Sequence, residues 1–197
     1  MPEEREIEYK TMLTEQEFAN LRDQIKFDKH FKQINYYYDT PDNLLKKNHC
    51  GLRVRLFPDT QKGEVTLKTP IAKNQLLETT QYLTQSEITD FLIQEKLPFV
   101  QNIAEKIAKF NISYYTLQPL TNLTTIRYEK QLSEECTIML DQSTYNDITD
   151  YELEMEVTDA NNGTKLFADF LQKNQITYRK TSNKITRAVK SLTKRYS

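Results

Sequence analysis

Apolar residues recur along this chain in two rhythms. One is helical. Leu13-Thr14-Glu15-Gln16-Glu17-Phe18 reads as a capping box with a hydrophobic staple: Thr14 caps, Glu17 reaches back and Leu13 packs on Phe18. Phe18, Leu21 and Ile25 then fall on one face. Leu83-Thr84-Gln85-Ser86-Glu87-Ile88 repeats the device, followed by Phe91 and Leu92. A third helix opens near Asn102 and Glu105 and buries Ile103, Ile107 and Phe110, and a fourth carries Leu166, Phe167, Phe170 and Leu171. The last runs from about Ser182 to Tyr196, with Ile185, Ala188, Val189 and Leu192 apolar and Lys184, Arg187, Lys190 and Lys194 largely elsewhere.

The other rhythm has period two and predicts strands over 4–12, 33–39, 50–58, 63–70, 76–83, 122–132, 136–142 and 150–158. Pro58 to Gly63 forms a hairpin turn, and Asn161-Asn162-Gly163 reads as a loop before a helix. No interdomain linker interrupts the pattern. A shift of 70 residues lays Glu8 on Glu78, Thr14 on Thr84 and Glu17 on Glu87, a faint internal echo of strand then capped helix.

The strand sides sort sharply. In 4–12, Glu6, Glu8 and Lys10 oppose Ile7 and Tyr9. Arg53 and Arg55 oppose Leu52, Val54 and Leu56; Thr66 and Lys68 oppose Val65 and Leu67. Arg127 and Glu129 oppose Ile126 and Tyr128, and Asp141 and Met139 oppose Ile138 and Leu140. Glu152, Glu154 and Glu156 oppose Leu153, Met155 and Val157. For a single strand, the simpler reading is an antiparallel sheet with one face in water. Taken together, whole strands carry one sign of charge, and folding gives no reason to gather like charges on one face. A strongly charged ligand does. Arg and Lys bind phosphate oxygens, and clustered carboxylates bind hard cations such as Mg²⁺ or Mn²⁺. A closed barrel of roughly eight strands with a charged interior and helices over its outer apolar faces would house such a complex. Every interior charge must then be paired or bound, since an unpaired buried charge costs several kcal/mol.

Composition narrows the choice. The 197 residues suit one medium domain spanning 1–197. Lys plus Arg is 27 against 28 for Asp plus Glu, which leaves no strong nucleic-acid signal. Gly is 3 and Pro is 6, so the chain is not linker-rich. Cys50 and Cys136 lack metal spacing and read as free thiols of a reducing compartment. No run approaches a membrane span and no leader pattern opens the chain, which points to a cytoplasmic protein with no membrane partner. His30 and His49 disfavour a histidine zinc site or a Ser-His-Asp triad and read as surface residues. Nothing in the pattern fixes an oligomeric state.

The same residues carry a resemblance. Glu6-Ile7-Glu8-Tyr9-Lys10 resembles the ExExK motif of the CYTH superfamily, the triphosphate tunnel metalloenzymes. Tyr37-Tyr38-Asp39-Thr40-Pro41-Asp42, Leu52-Arg53-Val54-Arg55 and Thr66-Leu67-Lys68 resemble its next segments in order, and Glu78, Arg127, Asp141, the Glu152 to Glu156 run and Lys184 complete the pattern. The resemblance implies an α+β fold: a closed, antiparallel eight-stranded tunnel with a charged interior, flanked by helices. It implies a Mg²⁺- or Mn²⁺-dependent hydrolysis of the terminal phosphoanhydride of inorganic or organic triphosphates. Glu6 and Glu8, with two of Glu152, Glu154 and Glu156, would hold metal, and Glu154 and Glu156 are favoured; Asp141 would join them. Lys10, Arg53, Arg55, Lys68 and Arg127 would bind the triphosphate, and Lys184 would close one end. Glu78 and Glu129 are either metal ligands or partners of the basic residues. A class IV-type adenylate cyclase and a non-catalytic polyphosphate or nucleotide binder remain alternatives on the same fold.

Overall fold

A computed structural model describes residues 3–72 and 75–193. In chain order the elements are β1 (Glu3–Leu13), α1 (Glu15–Gln24), β2 (Lys29–Asp39), α2 (Leu44–Lys47), β3 (Gly51–Phe57), β4 (Lys62–Ala72) and β5 (Gln75–Tyr82). They continue with α3 (Gln85–Gln94), α4 (Gln101–Ala108), β6 (Gln118–Ser133), β7 (Cys136–Tyr145), β8 (Ile148–Val157), α5 (Ala160–Lys173) and α6 (Lys184–Thr193). All eight strands read from the period-two alternation are present. They close into a barrel in the order β1-β5-β4-β3-β2-β6-β7-β8. The β2–β3–β4–β5 and β6–β7–β8–β1 ladders are antiparallel. No described helix is long and apolar enough to cross a membrane.

The chain forms two compact units. One comprises Gln33–Asn122 with the first residues of β1; the other comprises Glu6–Lys32 with Leu123 onward. Each has its own apolar core, built where the outward sides of its strands meet its helices. In the first, Leu52, Val54, Leu56, Val65 and Leu67 pack with Ile88 and Phe91 of α3 and with Ile103 and Ile107 of α4. In the second, Ile7, Ile138, Leu140, Leu153, Met155 and Val157 pack with Phe18 and Leu21 of α1 and with Phe167 and Leu171 of α5. Full burial of each such side chain contributes about 1.5–3 kcal/mol, so the helix-covered face dictates which way every strand turns. Arg53 and Arg55 are thereby forced to the other side of β3, here called the inner face.

Both capping boxes form. The Thr14 hydroxyl accepts from the Glu17 amide at 3.2 Å while the Glu17 carboxylate accepts from the Thr14 amide at 2.7 Å. Thr84 and Glu87 repeat this at 3.3 and 2.7 Å. Each box follows a strand, β1 in one case and β5 in the other, as the internal echo predicts. The β7–β8 turn is Asn146-Asp147, both with positive φ, the conformation a tight two-residue hairpin needs.

Three local features depart from the sequence reading. Asn161, Asn162 and Gly163 lie inside α5, not in a loop: the Asp159 carboxylate caps the helix by accepting from the Asn161 amide at 2.9 Å. Gly163 fits there because a side chain would strike the Tyr9 ring and Val157. The last helix begins at Lys184 rather than Ser182; its expected continuation through Lys194 to Tyr196 lies outside the described residues. The short helix α2 is an addition, organised by the YYDTPD segment. Asp39 is buried, and its carboxylate accepts from the amides of Thr40, Leu45 and Lys46.

Candidate functional site

Pairing register assembles one inner face from the charges of β1, β6, β7 and β8. Glu8 stands opposite Glu156, Lys10 opposite Glu154, and Met12 opposite Glu152. Glu152 faces Asp141 on β7, which faces Arg127 on β6. Directly paired residues share a sheet face, so these side chains meet. The Arg127 guanidinium forks onto Asp141, donating from Nε at 2.8 Å and from Nη2 at 2.6 Å, and Nη2 also reaches Glu154 at 2.6 Å. Lys184, the first residue of α6, brings its ammonium between three carboxylates: Asp141 at 2.9 Å, Glu152 at 2.6 Å and Glu154 closer still. Lys10 pairs with Glu8. Asp141 and Glu152 are fully buried, Glu154 nearly so, while Glu6 and Glu156 are half-buried.

The charges are mutually dependent. Burial pushes the Glu154 carboxyl up, but Lys184, Arg127 and Lys10 outweigh it and hold the group well below the carboxylate range. Burial also raises Asp141, and Arg127 and Lys184 reverse that shift. Burial works against the Lys184 ammonium, yet Asp141, Glu152 and Glu154 raise its pKa well above an ordinary lysine. Lys10 follows the same logic, with burial overruled by Glu8 and Glu154. All of these groups are therefore ionised at neutral pH.

A second inner face belongs to the unit holding β2 to β5. Arg55 lies opposite Asn35 on one side and Glu64 on the other. Its Nε donates to Asn35 Oδ1 at 2.9 Å, and its Nη1 lies 3.4 Å from Glu64. Lys68 lies opposite Glu78 and pairs with it at 2.5 Å, while Arg53 Nη2 stands 3.9 Å from the same carboxylate. Burial raises the Glu78 carboxyl, and Lys68 and Arg53 overcome this to bring it down to about 2. A cavity of about 180 Å³ opens here, lined by Glu4, Arg55, Glu64, Glu78, Thr80 and Tyr82.

The structure thus gathers Glu8, Lys10, Arg127, Asp141, Glu152, Glu154 and Lys184 in one ionic cluster and Arg53, Arg55, Lys68 and Glu78 in another. Glu78 stands with the basic residues as their partner. Glu129 turns its carboxylate to Lys29 at 2.6 Å. Glu6 and Glu156 share the face of Glu8 by register and parity. His30 and His49 are exposed, and both cysteines are buried free thiols. Three contributors escaped the sequence reading. Glu64 sits two residues before Thr66 on the same strand side, a signal available in the alternation. Asn35 has the same kind of parity signal within 33–39. Arg187 lies one helical turn after Lys184, so helical spacing places it on the same face.

The donor set suits a hard cation, being made of carboxylate oxygens alone. Among the described residues no three acidic, histidine or cysteine side chains already converge as a ligand group. Asp141, Glu152 and Glu154 are all engaged by Arg127, Lys184 or Arg187, and Glu8 by Lys10.

The fold and site together are those of a closed eight-stranded antiparallel barrel with helix-covered apolar cores and ionic inner faces. Its residues 4–189 match the CYTH domain model, and the chain belongs to that family. It is 38% identical over 190 residues to YjbK of Bacillus subtilis (strain 168), a candidate triphosphatase, covering 95% of each chain. A solved structure from Bacillus halodurans, described as a candidate adenylate cyclase, is 33% identical, with a TM-score of 0.84 over 95% of this chain and 98% of that one. HpAC1 from Hippeastrum, a candidate adenylyl cyclase described as having a dominant triphosphatase activity, shares the fold at 18% identity, with a TM-score of 0.74 over 95% of each chain.

Proposed function

We propose that the protein is a metal-dependent triphosphatase that cleaves the terminal phosphoanhydride of inorganic or organic triphosphates with Mg²⁺ or Mn²⁺. The observation that carries this reading is the turning of like-signed side chains to the inner faces, bases on β3 and acids on β8, while apolar partners on the same strands are buried under helices. The names of the relatives from Bacillus subtilis and Hippeastrum support it.

In this reading Arg53, Arg55 and Lys68 grip phosphate oxygens, and Asn35 and Glu64 hold Arg55 in the required orientation. Lys10, Arg127 and Lys184 bind further oxygens and offset the charge that develops as pyrophosphate leaves. Glu6, Glu8, Glu154 and Glu156 hold the metal, and Asp141 and Glu152 stand behind them to keep Arg127 and Lys184 in place. When bound, the cation neutralises phosphate charge and polarises the bond to be broken. A carboxylate of the Glu6–Glu8–Glu156 group accepts a proton from the attacking water. No serine, cysteine or histidine nucleophile is needed for direct transfer to water. Purified protein with tripolyphosphate and Mg²⁺ will release phosphate, and Glu8→Gln will slow this by at least a hundredfold. Equal rates for the two proteins would refute the assignment.

A second reading follows from the description of the Bacillus halodurans relative: a cyclase that acts on ATP. Incubation with ATP and Mn²⁺, followed by assay for cyclic AMP, separates the two; the triphosphatase reading predicts none.

A further inference from the structure

Arg187 of α6 is engaged on every nitrogen of its guanidinium. Its Nε donates to Asp150 Oδ2 at 2.7 Å and its Nη2 to Asp150 Oδ1 at 3.3 Å. Nη1 and Nη2 each reach Glu152 at 3.1 Å, so one guanidinium forks two carboxylates on β8. Nη1 also donates to the Thr181 hydroxyl at 2.9 Å and to the Ser182 carbonyl at 2.6 Å, which fastens the segment leading into the helix. Asp150 accepts from the Tyr145 hydroxyl as well, at 2.5 Å. One turn earlier on the helix, Lys184 contacts the same Glu152 at 2.6 Å. Near the hairpin, the Asn146 amide donates to the Ala188 carbonyl and the Ser191 hydroxyl, and so seats the same helix.

The charge balance of this cluster is close. Asp141, Asp150, Glu152 and Glu154 meet Arg127, Lys184 and Arg187, which leaves one negative charge in excess. Loss of Arg187 would double that excess beside the carboxylates assigned to the cation. It would also leave the buried Glu152 with Lys184 in place of two cations, and its oxygens suit the same ion.

We propose that Arg187 is a positioning residue: it withholds Glu152 and Asp150 from the cation and seats Lys184, so that the protein alone binds a divalent cation only weakly. The cation would then be brought chiefly by the triphosphate. This rests on the reading that these carboxylates serve a cation, and not on turnover.

The test is titration of the full chain with Mn²⁺ in the absence of any phosphate, free Mn²⁺ being read by electron paramagnetic resonance. Arg187→Met is expected to tighten binding about tenfold, and Glu152→Gln in that background to return it to within about threefold of the wild type. A purely architectural role predicts the opposite, since a loosened α6 would scatter the carboxylates and weaken binding. Arg187→Lys keeps the charge without the double fork and is expected to tighten binding about threefold; it decides the matter should the methionine variant fail to fold. Unchanged or weaker binding in a folded variant overturns the proposal while leaving the cation reading intact. No measurable uptake by the wild type agrees with the proposal as long as Arg187→Met binds; no uptake by either protein overturns it. Mn²⁺ binding that follows the expected order in a protein inert toward tripolyphosphate upholds the role of Arg187 and removes only the triphosphatase.

Discussion

Glu78 offers the sharpest link between the inner-face charges and a solution measurement. Its carboxyl falls from 4.5 to about 2 on folding, with burial opposing the change and Lys68 and Arg53 driving it. A depressed carboxyl stabilises the fold above its unfolded pKa, and that stability is lost as pH falls through the folded value. The full contribution at pH 7 is about 3 kcal/mol. It is a ceiling, because the side chain retains 20% exposure and solvent screens the pairs. Roughly 2 kcal/mol of it should be gone by pH 3, with the decline beginning near the unfolded pKa. Other carboxylates also titrate in this window, so the perturbation is Glu78→Gln and the readout is a difference. Urea unfolding of both proteins from pH 7 to pH 3 should show the wild type ahead at neutral pH and the gap closing by about 2 kcal/mol on acidification. The pH-independent part of the gap reports Lys68 and Arg53 left without their carboxylate. A gap of constant size across the range would refute the claim that Glu78 is ionised against these bases in the folded protein.

Two further substitutions probe packing and phosphate binding. In Gly163→Ala the new methyl would lie 2.4 Å from Tyr9 Cε2 and 2.8 Å from Val157 Cγ2, and Tyr9 is held by its hydroxyl bond to the Ala160 carbonyl and its contact with Phe167. Overpacking of about 1–3 kcal/mol should exceed the gain of up to about 1 kcal/mol in helix propensity, and differential scanning calorimetry should show a lowered Tm. Arg55→Lys removes the planar fork oriented by Asn35 and Glu64, and should raise the KM for tripolyphosphate on the order of tenfold in a steady-state assay.

Much of this architecture is legible in the order of residues, and the reason is physical. Leu52-Arg53-Val54-Arg55-Leu56 cannot bury both of its sides, so the choice of face follows once α3 and α4 supply an apolar cover. Thr14 with Glu17 and Thr84 with Glu87 announce helix starts through contacts three residues apart. What escaped depends on contacts distant in sequence. The Asn161-Asn162-Gly163 run looks like a loop until Tyr9 and Val157 are known to press on Gly163. Arg187 looks like one more solvated lysine-and-arginine position until Asp150 and Glu152 arrive from β8. Asp39 belongs to a motif of the resemblance, yet its carboxylate is spent on the backbone amides that build α2. That Glu152 takes Arg187 beside Lys184 while Glu154 takes Arg127 beside it likewise rests on which partners α6 and β6 present, information that strand alternation does not contain.

The proposed reaction makes a definite demand on products. Phosphorus NMR of tripolyphosphate incubated with the purified chain and Mg²⁺ follows them directly. Orthophosphate and pyrophosphate should appear in equal amounts, and chelation of the cation should stop both. Tripolyphosphate that persists unchanged with Mg²⁺, and with Mn²⁺ once the metal has been chelated before the spectrum is taken, would contradict the account.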